Sequence, residues 1–190
     1  MNNRTRLIGL LSGLGGVLLS ALLSQSVLAQ DLEKRVKAAY IFNFTRFIDW
    51  PDSAFASADS PLVVCVASDR EIAVTLNSLL AGKQKSGRPL LSSLVLRAED
   101  AEGCHVLYIA ADGEQEQRRW LRVPGNRHTL TIADNATFLE RGGVVGFALV
   151  DGKLRFDISQ PHAQGAGLKI SSKLLNLARR VHRTATDIDL

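Results

Sequence analysis

The sequence has little of what bond-making chemistry needs. It carries two cysteines and four histidines, and the histidines, at 105, 128, 162 and 182, show no paired metal-ligand spacing and no His-Glu-x-x-His. No metal and no cofactor is therefore expected. No Gly-x-Ser-x-Gly elbow surrounds Ser171 or Ser172, so capping a helix is their default role. Cys104 and His105 are adjacent, and consecutive strand residues point to opposite faces, which carries the imidazole away from the sulfur. These absences argue against an enzyme. The charge balance is also small: +4 over the whole chain, falling to about +2 once Arg4 and Arg6 are set aside. Nucleic acid is not expected as a partner. The basic stretch at Lys83, Lys85 and Arg88 has no interleaved aromatic residues and reads as a solvated loop.

The N-terminal stretch reads as an address. Arg4 and Arg6 form a positive start, residues 7–23 are almost wholly apolar, and Val27-Leu28-Ala29 offers a cleavage site before Gln30. An uncleaved membrane anchor is the rival reading, weakened by the glycines and serines that interrupt the apolar run. Residues 1–29 are thus expected to be a cleaved signal peptide that delivers the chain to the periplasm. Residues 30–190 remain as one domain, long enough to bury a sizeable core. In an oxidising compartment Cys65 and Cys104 are expected to form one structural disulfide, with two buried free thiols as the alternative. An unstrained bridge would stabilise the fold by roughly 4 kcal/mol in the chain-entropy model.

What the sequence does have is aromatic density. Six of its eleven aromatic residues lie between Tyr40 and Phe55. Residues 31–50 show helical periodicity up to Pro51, and Val36, Tyr40, Ile41, Phe44, Phe47 and Ile48 share an arc of about 140°. Phe42 falls near the opposite pole beside Arg46, and Trp50 lies outside the stripe. Either a second layer covers these two, or Phe42, Arg46 and Trp50 belong to a partner or dimer surface.

Further along, apolar runs alternate with helical segments. Strands are expected over 61–67, 90–97, 105–110 and 129–133, with helices over 70–80 and 114–121 and a brief one near 136–140. Asp151-Gly152 between two hydrophobic runs signals a hairpin. Residues 172–182 put Leu174, Leu177, Ala178 and Val181 on one helical stripe, which makes Arg179, Arg180 and Arg183 a solvated face. The pattern predicts a single-domain α/β layered fold: a mostly parallel sheet flanked by helices, with an antiparallel edge hairpin. Gly165, Gly167 and Lys169 form a weak candidate anion site, against the plainer reading of a turn into the last helix.

An ordered set of segments resembles the YfiR family of small exported bacterial proteins. It runs from Lys37 to Pro51, then through Val63 to Val66, Gly82-Lys83, Gly87-Arg88-Pro89, Cys104 to Ile109, and Thr131 to Asp134. It ends with Gly142-Gly143, Arg155 to Ile158, and Ala166 to Ala178. The resemblance implies a dimeric, non-catalytic periplasmic regulator. Such a regulator inhibits an inner-membrane diguanylate cyclase through its sensor domain, and an outer-membrane peptidoglycan-binding lipoprotein relieves the inhibition. The repressor with that role carries a second cysteine pair. This chain has only Cys65 and Cys104, so redox tuning by a second bridge is not carried over. The competing expectation is a small-ligand sensor with its cleft at the carboxyl ends of the strands, near Ser68-Asp69 and Ala111-Asp112.

Overall fold

The computed structural model describes residues 30–111, 113–123, 127–184 and 187. Residues 1–29, expected to be a signal peptide, Asp112 and residues 124–126 lie outside the described residues. The chain divides into two units, Met1–Arg35 and Val36–Leu190. In the first, residues 30–35 are helical and Asp31 pairs with Arg35 one turn on, at 3.0 Å.

The second unit opens with helix α1, residues 36–47, followed by β1 (Ile48–Asp49), β2 (Leu62–Ala67), α2 (Arg70–Leu80), β3 (Gln84–Lys85) and β4 (Arg88–Val95). Next come β5 (Val106–Ile109), α3 (Glu114–Leu121), β6 (Leu130–Ala133), β7 (Val145–Val150) and β8 (Lys153–Ser159). The unit ends with α4 (Gln160–Gly165), β9 (Lys169–Ile170), α5 (Ser172–Leu175) and β10 (Arg180–His182). Eight strands form one sheet in the order β10-β8-β7-β6-β5-β2-β4-β3, and β1 pairs with β9 apart from it. The pairs β2/β4, β2/β5, β5/β6, β6/β7 and β8/β10 are parallel; β7/β8 and β3/β4 are antiparallel. This is the expected α/β fold.

Side-chain alternation divides the core between the two faces of the sheet. Val64 and Val66, Val106 and Tyr108, and Leu130 and Ile132 join α1 and α2 in the larger cluster. Their neighbours Cys65, Ala67, Leu107, Ile109 and Ala133 face the other way, onto Trp120 of α3 and Phe138. Buried on both faces, the central strands are apolar throughout except at Thr131 of β6, whose hydroxyl accepts from the Val144 N–H at 3.1 Å.

On α1 the stripe meets the sheet as expected. Ile41, Phe44 and Ile48 are fully buried, and Phe44 lies 5.0 Å from the Phe156 ring and 6.1 Å from Phe147. The helix stops at Phe47, three residues before the Trp50 expected from the periodicity. The reason is tertiary: Ile48 and Asp49 leave the helix to pair with Ile170 and Lys169, and Ser171 N–H donates to the Phe47 carbonyl at 2.9 Å.

Two further expectations are corrected. The basic stretch near 83–88 is a tight hairpin, turned by Ser86 and Gly87 at φ 51° and 82°. The C-terminal helix is a single turn, and its continuation is strand β10, which lies parallel to β8 with Arg180 opposite Asp157. Leu177, placed on the buried stripe by helical periodicity, is 66% exposed. Arg179 is no part of a solvated face, because its Nε donates to Asp157 at 2.8 Å while Nη2 reaches the second carboxylate oxygen. The Asp157 side chain is nearly fully buried, and this hydrogen-bonded pair raises the Arg179 pKa further above its ordinary value. The Asp151-Gly152 hairpin is as expected, with both residues at positive φ, 50° and 69°.

Cys65 in β2 and Cys104 just before β5 are disulfide-bonded, with Cα atoms 5.8 Å apart. We predict that Cys65→Ser lowers stability by about 2–4 kcal/mol under oxidising conditions and by much less after reduction, read by urea denaturation. Removing the cation from the Asp157 pair leaves a buried carboxylate unpaired. Arg179→Ala is therefore expected to cost about 2–4 kcal/mol in the same measurement, with Asp157→Asn partly restoring stability in the double variant.

Candidate functional site

Expected contact residues gather at the end of the sheet where the central strands begin. After β1, Trp50 and Pro51 lead into a short 3-10 turn, Asp52–Ala54, which returns the chain toward β2. His105 holds this segment down. Its Nδ1 accepts from the Val63 N–H at 3.1 Å, which leaves the ring proton on Nε2 to donate to the Ala54 carbonyl at 3.0 Å. Its own carbonyl accepts from the Trp50 indole N–H at 3.1 Å. The Phe55 ring stacks on the imidazole at 4.5 Å, and the Arg88 guanidinium covers Phe55 at 3.7 Å. Arg88 also donates to the carbonyls of Ser57 and Ser60, at 2.7 and 3.0 Å. One imidazole thus joins three separate stretches of chain: its own, the start of β2 and the 54–55 segment.

Two grooves flank this stack and share Lys85. The first, of about 210 Å³, is lined by Trp50, Asp52, Phe55, Leu62, Lys85 and Arg88, among others. The second, of about 340 Å³, lies between α1 and the β3 hairpin and is lined by Phe42, Thr45, Arg46, Lys83, Gln84, Lys85 and Leu90. Phe42 and Trp50 are half-buried and packed against the main core, so each presents only part of its ring. Lys85 is held between them, with Nζ 2.7 Å from the Asp49 carboxylate and 3.3 Å from the Arg46 carbonyl. Among the described residues the Arg46 and Lys83 side chains make no hydrogen bond or ion pair, and both are exposed. The second groove therefore offers the apolar Phe42 and Leu90 beside two uncommitted cations, with no carboxylate among its lining residues.

The remaining candidates lie elsewhere. Gly165 and Gly167 close α4 rather than open α5. The amides of Ala166, Gly167 and Leu168 already donate to the carbonyls of His162, Gln164 and Ala163, at 2.8 to 3.0 Å. Gly167 has φ 72°, and a Cβ there would press on the His128 ring at 3.2 Å, so turn geometry accounts for the glycine. Lys169 sits in β9 and lines a separate groove with Gln164 and Leu168. At the carboxyl ends of the strands, Asp69 caps α2 by accepting from Ile72 N–H at 3.0 Å, and the Ala111 carbonyl accepts from Gln117 at 2.8 Å. Ser171 caps α5. Among the described residues no three His, Cys, Asp or Glu side chains gather as metal ligands. The sequence reading missed the His105 stack and the pairing of Ser53 Oγ with His128 Nε2 at 3.2 Å. Residues 75 positions apart carry no local signal of meeting.

A family model described as YfiR/HmsC-like matches residues 34–179, most of the chain. The chain belongs to the YfiR/HmsC-like family. No curated protein matches the sequence. A conserved domain protein of Vibrio cholerae O1 biovar eltor str. N16961, solved by crystallography, aligns at 18% identity and TM-score 0.43 over 63% of this chain. The alignment spans 54% of that protein, about half its length. The YfiR/HmsC-like match begins at the foot of α1 and ends at Arg179, so it takes in both grooves, the disulfide and the Arg179–Asp157 pair. No helix among the described residues is long and apolar enough to cross a membrane.

Burial, followed by the nearby Arg88 charge, holds the His105 pKa below the usual histidine range, against the smaller opposing pull of the Ala54 hydrogen bond. Below about pH 6.5 the unfolded chain binds a proton that the folded chain refuses, so stability falls as pH drops through that point and is level above it. We expect His105→Gln to flatten this slope between about pH 5 and 6.5, measured by denaturant titration across pH. An unchanged slope would show that His105 does not carry it.

Proposed function

We propose that this protein is a periplasmic regulator that binds the sensor domain of an inner-membrane diguanylate cyclase and holds the enzyme down. In this reading the chain is exported by cleavage after residue 29 and acts as a homodimer. An outer-membrane peptidoglycan-binding lipoprotein withdraws it when the signal arrives. The observation that carries the reading is the YfiR/HmsC-like match over residues 34–179.

The surface at Phe42, Arg46 and Trp50 supports recognition by contact. A partly exposed Phe42 beside the uncommitted Arg46 and Lys83, with Trp50 in the adjoining groove, has the composition of a protein interface, where a buried ring supplies area and a guanidinium supplies direction. The small-ligand alternative draws less support, because Asp69 and the Ala111 carbonyl at the carboxyl ends of the strands are engaged within the fold. The regulatory role thus needs no bond-making step on this chain.

Deleting the gene is expected to raise cellular cyclic-di-GMP, and the wild-type chain to restore it. Arg46→Glu, exposed and without a folding partner, should fold normally yet restore repression at least about ten-fold less well per molecule. A tagged wild-type chain should recover a membrane cyclase that Arg46→Glu does not. Unchanged cyclic-di-GMP with no cyclase recovered would overturn the proposal. Full repression by Arg46→Glu would move the contact to another face.

A further inference from the structure

Strand β4 is an edge without the usual protection. Its inner side pairs with β2 along Leu90–Val95, while β3 covers its outer side only at Arg88 and Pro89. Natural edge strands are blunted by charge, proline, bulges or brevity. From Leu90 to Leu96 this chain reads Leu-Leu-Ser-Ser-Leu-Val-Leu, with no charge and no proline. Leu91 is 50% exposed and Leu96 is 67% exposed.

The direction of the open backbone groups follows from two hydrogen bonds. The Val95 carbonyl accepts from Ser68 N–H at 3.0 Å on the β2 side, and Leu90 N–H donates outward to the Lys83 carbonyl at 3.0 Å. Successive residues of a strand direct their N–H and C=O to alternate sides. Residues 91, 93 and 95 therefore serve β2, and Ser92 and Leu94 face outward. Among the described residues these outward groups have no backbone partner.

We propose that this edge is where two copies of the chain meet, β4 against β4 in antiparallel register about a two-fold axis at Ser93. Ser92 then lies opposite the second copy's Leu94, so that each outward N–H meets an outward C=O and four hydrogen bonds close. The neighbouring register, centred on Ser92, requires Leu90, whose amide is already taken by Lys83. A self-complementary donor and acceptor set is what an isologous contact demands and a foreign strand does not. At the axis the facing residues form a close, non-hydrogen-bonded pair, where the small Ser93 fits. The exposed Leu91 comes to lie opposite Val95 of the second copy, and no like charges meet. On the helix side, a groove of about 250 Å³ lined by Ala73, Val74, Ser92 and Leu94 flanks the edge and is covered by the added strand. This assigns a face to the homodimer of the proposed function and involves neither Phe42 nor Arg46.

Sedimentation equilibrium of the exported chain tests it, with two variants. Ser92→Pro removes an outward N–H that the fold does not use, and proline is tolerated on an edge. It should weaken dimerisation by about ten-fold or more and, since within the fold it removes only the long Ser92 Oγ bond to the Ala73 carbonyl at 3.4 Å, lower the thermal midpoint only slightly. Ser93 lies opposite Cys65 in β2, so Ser93→Cys is made in a chain with Cys65→Ser and Cys104→Ser; it should form a covalent dimer on oxidation, seen on a non-reducing gel. Arg46→Glu should dimerise like wild type, so loss of cyclase repression and loss of dimerisation are read separately. A wild-type chain that stays monomeric at all concentrations overturns the proposal. So does a dimer that Ser92→Pro does not weaken and Ser93→Cys does not cross-link. If Ser92→Pro impairs capture of a membrane protein while the wild type never self-associates, the edge serves a foreign strand and the two-copy assignment is wrong.

Discussion

The burial of α1 against β7 and β8 is the contact on which the rest of this structure depends. Phe44 is wholly buried and meets Phe147 and Phe156, with Tyr40 bridging the same two rings at 5.9 and 5.5 Å. Burying one such ring stabilises by roughly 2–3 kcal/mol, and each favourable ring pair adds about 0.5–1.5. With that stripe seated, the azimuth of the helix is settled. Phe42 and Arg46 must then look toward the β3 hairpin, and the chain leaving α1 must pair with β9. The groove beside Phe42 is thus a by-product of core packing on the opposite side of the same helix.

A second set of contacts turns the approach to the sheet into a firm platform. The disulfide joins the start of β5 to β2 on one face, and the His105 ring one residue later joins β2 to the Trp50–Phe55 segment. Because the imidazole uses both nitrogens on backbone groups, it works only while neutral. Its burial lowers its pKa, its ring stacks on the half-buried Phe55, and its main-chain carbonyl holds the half-buried Trp50. Arg88, committed to Phe55 and to two carbonyls, is structural, whereas Arg46 and Lys83 remain available for recognition. Charge at this surface is therefore divided between cations that build it and cations that present it.

Much of the fold was legible because its signals are local. Continuous apolar runs marked β2, β5 and β6, Asp151-Gly152 marked its hairpin, and Asp69 capped α2. The misreadings share one cause. Residues 172–182 have a helical apolar period, but the open side of β8 and the buried carboxylate of Asp157 recruit Arg179 and β10 instead. Ile48 and Asp49 likewise continue the helical pattern of α1 and yield it to β9. Contact candidates were visible as aromatics left off the stripe. Their neighbours Lys83 and Lys85 were not, since nothing in a solvated basic stretch shows that it folds back beside α1.

By itself the sequence determined the α/β class, the elements of the central sheet, the aromatic stripe of α1 and the possibility of one disulfide. Each follows from periodicity or composition within a short window, where apolar burial and turn chemistry act. Only the tertiary structure decided which cations remain unpaired, that His105 is a junction, that the last helix becomes a strand and that β4 keeps an open edge. Those outcomes depend on which distant backbone and side-chain groups find partners. Hydrogen bonds and ion pairs between residues tens of positions apart leave no period in a sequence.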